Sequence, residues 1–147
     1  MSLYMETTRI QAGKTASEIC ALLGRSGATQ VTQDYDAGEV TAIYFKLRIG
    51  PNDVPYRLPI RVQPVFALLT AGRRGYSRDA MLDQAKRVAW RQALRWVQAQ
   101  LAFVATGQVQ PAEAFLSYLQ VSATETLFQK VLTHGTNLLT WTQEKSE

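Results

Sequence analysis

The sequence predicts a single α+β domain. Three observations carry that prediction: apolar residues at helical spacing near the N-terminus, two-residue alternation over residues 31–61, and helical spacing again from about residue 77 onward. Thr15 and Glu18 precede and overlap the apolar set Ile19, Leu22 and Leu23, which predicts a capping box opening a short amphipathic helix that Gly24 or Gly27 stops. Val31, Gln33 and Tyr35 then alternate, and Asp36-Ala37-Gly38 supplies a turn. Ile43, Phe45, Leu47 and Ile49 face one way, while Ala42, Tyr44, Lys46 and Arg48 face the other. Gly50-Pro51-Asn52-Asp53 marks a second turn, after which Val54, Tyr56, Leu58 and Ile60 repeat the apolar alternation with Arg57 and Arg61 opposite. Short turns join neighbours, so three antiparallel strands in a meander are expected. Pro59 has no N–H to give a ladder and belongs to an outer strand.

The second half reads as helical. Pro64 stands in the first turn of a short helix ending at Leu69, and residues 70–76, with Arg73 and Arg74 between glycines, form a mobile loop. Ser77 as N-cap, with Asp79 in the first turn, predicts a long helix running to about Thr106 and Gly107. Such a helix is on the order of 40 Å long, more than a three-stranded sheet covers. Two further helices are expected over residues 111–118 and 122–133, the latter opened by Ser122 and Glu125 and stopped by Gly135. Their Phe115, Leu116, Leu119, Leu127, Phe128, Val131 and Leu132 cover the distal part of the long helix or pair with a second copy. Trp141 lies in a polar tail, and residues 136–147 are expected to be partly ordered. No repeat or linker divides residues 1–147, so they count as one domain.

Composition excludes several classes. With 46% apolar and 19% charged residues over 147 positions, the chain can bury a core and is not intrinsically disordered. The single Cys20 cannot form an internal disulfide. The longest charge-poor apolar run, residues 62–71, is shorter than the roughly 20 residues of a membrane helix. The N-terminus lacks a basic patch followed by an apolar core of secretory length, so the expected location is cytoplasmic. His134 is the only histidine, which excludes a histidine cluster around a metal. Gly13-Lys14-Thr15 lacks the upstream glycine of a phosphate loop, and Gly72-Arg73-Arg74-Gly75 lacks a dinucleotide fingerprint. No catalytic residue, cofactor or metal site is expected. The one enzymatic alternative is a metal-dependent nuclease using Asp34, Asp36, Glu39 and Asp53 near the hairpin turns, with Lys46 nearby.

Charge is unevenly distributed within a net +4. Residues 1–39 hold three basic and five acidic side chains, residues 40–95 eleven and three, and residues 96–147 two and four. A basic middle between acidic ends is the electrostatic footprint of a polyanion-binding protein. The sheet would contribute Tyr44, Lys46, Arg48, Arg57 and Arg61 on its outer face, and the loop and long helix Arg73, Arg74, Arg78, Lys86, Arg87, Arg91 and Arg95. Guanidinium groups grip phosphate oxygens, and a ring such as Tyr44 can stack on an exposed base. The expected function is non-catalytic nucleic-acid binding, with DNA ahead of RNA as partner. The alternative is a self-associating structural or adaptor protein; Trp90, Trp96, Phe103, Phe115, Tyr118 and Phe128 are numerous aromatics for a small helical half, and a homodimer is expected under either reading, since two copies can align basic faces.

Two resemblances bear on this reading. The order helix, three strands, helix over residues 15–105, with Gly75-Tyr76-Ser77-Arg78 and Ala85-Lys86-Arg87, resembles the double-stranded-RNA-binding fold, although residues 64–69 interrupt the link to the last helix. The resemblance implies a sheet packed on two helices and duplex contacts through phosphate and sugar. Ala16-Ser17-Glu18-Ile19, Gly27-Ala28-Thr29 and Leu58-Pro59-Ile60-Arg61 resemble small uncharacterised proteins of phages and other mobile elements, many encoded near replication genes. That likeness spans most of the chain, carries no catalytic motif and implies a DNA-related accessory role.

Overall fold

Nine elements follow one another in the computed structural model, which describes residues 2–135. Their order is α1 (Ala12–Arg25), β1 (Ala28–Asp36), β2 (Glu39–Ile49), β3 (Asn52–Pro59), α2 (Val62–Thr70), α3 (Arg78–Ala105), α4 (Pro111–Ala114), a 3-10 turn (Leu116–Tyr118) and α5 (Leu127–His134). The α+β class, the three-stranded meander and the long helix stand as expected. Trp141 and the tail over residues 136–147 lie outside the described residues. Among the described residues no helix is long and apolar enough to cross a membrane.

The sheet has the order β1-β2-β3, antiparallel throughout. Its first turn puts Ala37 at φ 50° and Gly38 at φ 80°, the left-handed pair that matches the twist of flanking strands. Ile43, Phe45 and Leu47 of β2, with Tyr56 and Leu58 of β3, form the inner face. Against them pack Ile19 and Leu23 of α1 and Trp90, Leu94 and Val97 of α3. Register sets Phe45 opposite Tyr56, and their rings stack with centroids 5.4 Å apart.

The 28-residue α3 is capped by Ser77, whose hydroxyl accepts from Ala80 N, as expected. Its surplus length is covered by the chain itself. Phe115, fully buried after α4, meets Phe45 and Trp96 edge to face at 5.3 and 5.7 Å, and Trp96 meets Tyr118 at 5.4 Å. An irregular strap over residues 3–8 runs beside the other end of α3. Gln84 Nε2 donates to the carbonyls of Glu6 (2.8 Å) and Thr8 (2.9 Å), and Gln92 Nε2 to that of Tyr4 (2.8 Å).

Two expected helix starts are corrected. The N-cap of α1 is Gln11, not Thr15, so Thr15 and Glu18 lie inside the helix and face α3 instead of closing a capping box. The capping box of α5 belongs to Thr126 and Gln129, not Ser122 and Glu125. The Ser122 hydroxyl instead accepts from the Thr124 and Glu125 backbone, a turn that competes with helix and delays its start by four residues. β3 is an outer strand, as Pro59 requires, but its edge is partly closed. Leu119 bridges to Tyr56, and Gln120 N donates to Pro55 O at 2.9 Å.

Candidate nucleic-acid interface

Alternation sends one side chain of each pair to the outer face of the sheet, and the register arranges these in rows. Thr32, Tyr44 and Arg57 lie side by side across β1, β2 and β3; Gln30, Lys46 and Pro55 form the next row, and Arg48 stands opposite Asp53 in the row after that. Gln30, Thr32 and Arg48 are exposed and Tyr44, Lys46 and Arg57 partly exposed, while the chain from Gln120 to Gln129 borders the face at Arg57 and Pro59. Four of the expected binding residues, Tyr44, Lys46, Arg48 and Arg57, therefore share one open face. Lys46 has no ion pair among the described residues.

Two cations of this face have carboxylate partners. Arg48 Nη1 lies 3.3 Å from Asp53 Oδ1. Arg57 Nε lies 3.0 Å from Asp34 Oδ2, although its N–H is not directed at that oxygen. Asp34 and Arg57 belong to β1 and β3, so their contact passes over β2 at Ala42, which is thereby buried. A small side chain at position 42 leaves room for that crossing. Partly exposed pairs of this kind contribute about 0–1 kcal/mol, so they hold these two side chains only weakly.

Arg61 does not join the sheet. β3 ends at Pro59, and Arg61 is the exposed N-cap of α2. Alternation extended over Ile60 had placed it two residues too far along the strand. Arg73, Arg74 and Arg78 lie together in the exposed segment before and at the start of α3. Arg73 Nη2 approaches Glu6 Oε1 at 3.7 Å, Arg78 sits 5.0 Å from the centre of the Phe66 ring, and Arg74 has no ion pair among the described residues.

The arginines at four-residue spacing on α3 are not a solvated row. Arg87 is half-buried and donates from Nε to Gln84 Oε1 at 3.0 Å. Arg91 is only 8% exposed; its Nη1 donates to Glu18 Oε2 at 2.9 Å and to the Thr15 hydroxyl at 3.2 Å. Arg95 is exposed and donates to Gln98 Oε1 at 2.9 Å. The spacing that aligned them is real, but α1 covers the middle of the line. Lys86 is held by Glu39 Oε1 at 3.2 Å and Asp83 Oδ1 at 3.8 Å. Arg91 is thus a structural cation, and the expected binding cations without an ion pair among the described residues are spread out: Lys46 on the sheet, Arg61 at the start of α2, Arg74 and Arg78 before and at the start of α3, and Arg87 and Arg95 along α3.

The hairpin carboxylates do not converge. Asp34 faces Arg57, Asp53 faces Arg48 and Glu39 faces Lys86. Among the described residues no group of three or more His, Cys, Asp or Glu side chains is placed to hold a metal ion. Cys20 is half-buried; burial raises its thiol pKa despite the Gln33 amide 3.7 Å away.

Sequence reasoning missed the partners Glu18, Asp34 and Gln84. For Arg91 the signal was available: Val88 and Leu94, three residues to either side, flank it with apolar side chains on its own helix face. No family model, no curated protein and no solved structure matches this chain.

Proposed function

We propose that the protein binds nucleic acid without catalysis, laying the strand across the outer face of its sheet. The observation that carries the proposal is the open row in which Tyr44 stands next to Arg57, with Lys46 and Arg48 in the rows beyond. A ring flanked by cations can stack a base while the cations meet its phosphates. The resemblance of Ala16-Ser17-Glu18-Ile19 and Leu58-Pro59-Ile60-Arg61 to small phage proteins favours DNA over RNA and an accessory role in phage or mobile-element DNA metabolism, in the cytoplasm.

The proposal is tested by titrating isotope-labelled protein with a thymidine strand of about 12 nucleotides and following backbone amide shifts. Shifts centred on Thr32, Tyr44, Lys46 and Arg57 support it. Shifts confined to residues 71–78, or none at all, refute it.

A second reading, self-association as a homodimer, is favoured by Phe103 and Leu116, which remain 52% and 50% exposed after Phe115 has closed the core. A dimer mass by light scattering across micromolar concentrations supports it, and a monomer mass removes it. Two copies could carry two sheet faces, so the readings are compatible.

A further inference from the structure

The two edges of the sheet differ. β3 carries Pro55 and Pro59, and Leu119 and Gln120 cover part of its outer side. β1 is the other edge, and among the described residues no strand pairs with it on the side away from β2. Its nine residues include no proline, lysine or arginine, the residues that ordinarily blunt a strand edge. Every second residue of such a strand directs its N–H and C=O outward, so the edge is a template for another strand.

The register narrows what that strand can be. Irregularities between Ala28 and Gln30 and between Asp34 and Tyr35 leave residues 30–34 as the regular stretch, centred on Thr32. When two copies meet antiparallel about a two-fold axis at Thr32, that residue faces itself, Val31 faces Gln33, and Gln30 faces Asp34. The Gln30 amide can then donate to the Asp34 carboxylate on both sides of the axis. Asp36, which has no ion pair among the described residues, falls opposite Ala28, three residues from the exposed and likewise unpaired Arg25 of the second copy. Registers centred on Asp34 or Tyr35 set aspartates against each other, which disfavours them. On the inner side, the Gln33 amide lies 3.7 Å from Cys20 of α1, so the α1 flank of Gly13, Ser17, Cys20 and Gly24 runs below this edge. Gly13 and Gly24 have open space where a Cβ would stand, which leaves room for a second α1 beside the first.

We infer that β1 pairs with β1 of a second copy, antiparallel and centred on Thr32, an inference that rests on the homodimer reading and sets its contact at an edge to which Phe103 and Leu116 do not belong. The two three-stranded sheets then join into one. With a single open edge per chain the assembly closes at two copies instead of growing into a fibre. A two-fold axis normal to the sheet keeps both outer faces on one side, so the row of Thr32, Tyr44 and Arg57 continues into the second copy.

The experiment follows the full chain, with no nucleic acid present, by sedimentation equilibrium and by oxidative cross-linking. The native chain is expected to dimerise at micromolar concentrations. Gln30→Glu, which sets a second carboxylate against Asp34 at two places, should raise the dimer dissociation constant about tenfold, and Gln30→Lys should lower it. Gln30 is exposed, so neither variant disturbs the core. Thr32→Cys, made together with Cys20→Ala, should cross-link to itself on oxidation with diamide, because the Cβ atoms of directly opposed residues lie roughly 4.5–5.5 Å apart. Leu116→Cys in the same background should not. A dimer that fails to cross-link at Thr32→Cys, or whose dissociation constant is the same with either charge at position 30, overturns the edge pairing and leaves the homodimer reading in place. A monomer mass at every concentration overturns both. Neither result bears on the outer-face reading, which is tested with a strand present.

Discussion

Arg91 Nη1 of α3 lies 2.9 Å from Glu18 Oε2 of α1, and the same nitrogen reaches the buried Thr15 hydroxyl at 3.2 Å. The arginine thereby ties the two helices that cover the sheet. Glu18 is 35% exposed at its side chain, so one end of the pair keeps some water while the guanidinium is nearly enclosed. Arg91→Ala should destabilise the fold by about 3 kcal/mol, because it leaves Thr15 and Glu18 without their partner and opens a gap. Urea unfolding checks this; a loss under about 0.5 kcal/mol, the size of an ordinary surface substitution, would contradict the assignment. Nucleic-acid affinity, measured at a temperature where the variant is folded, should be unchanged.

Phe115 closes the distal half of the core against Phe45, Tyr56 and Trp96. Phe115→Ala should cost about 3–5 kcal/mol, through lost burial and the cavity it leaves. The near-ultraviolet circular dichroism of Trp96 and Tyr118 should weaken along with it, since Trp96 packs on Phe115 and Tyr118 packs on Trp96.

Burial pushes the Tyr56 phenol above the usual tyrosine range. Below about pH 10 the group is neutral in both folded and unfolded chains, so it adds no pH dependence there. Above that pH the unfolded chain ionises first, and stability falls until the folded phenol also ionises. Thermal unfolding at pH 8 to 11, as a rough range spanning the ordinary phenol pKa, should show this decline, and Tyr56→Phe should flatten part of it. An identical slope in both proteins would contradict the burial argument.

Ala42 lies under the crossing from Asp34 to Arg57. Ala42→Leu should push those side chains apart and redirect Arg57, and should destabilise the fold by about 1–3 kcal/mol because it overfills a buried position. A crystal structure of the variant with the 3.0 Å contact intact would contradict this account of why a small residue stands there.

Much of the fold was legible because it rests on local periodicities. Ile43, Phe45 and Leu47 alternate as only a half-buried strand requires, and Ser77 with Asp79 marks the start of α3. What escaped depends on which elements meet. Thr15 and Glu18 have the spacing of a capping box, and only the packing of α1 on α3 turns them into partners of Arg91. Arg61 followed the strand alternation, but the backbone turns into α2 after Pro59. The candidate site divides in the same way. Tyr44, Lys46, Arg48 and Arg57 share a face because strand parity is local, whereas pairing with Asp34 and Asp53 depends on register across the sheet.

The most direct test of the outer-face account is the salt dependence of binding to a thymidine strand, compared between the native chain, Tyr44→Ala, Lys46→Ala and the pair Arg73→Ala with Arg74→Ala. Tyr44→Ala should weaken binding by about 1–3 kcal/mol at every salt concentration, as expected for a lost stacking contact. Lys46→Ala should reduce the slope of log affinity against log salt by about 0.7. The loop pair should have a smaller effect than either. Binding that is lost in the loop pair but intact in Tyr44→Ala and Lys46→Ala would contradict the account.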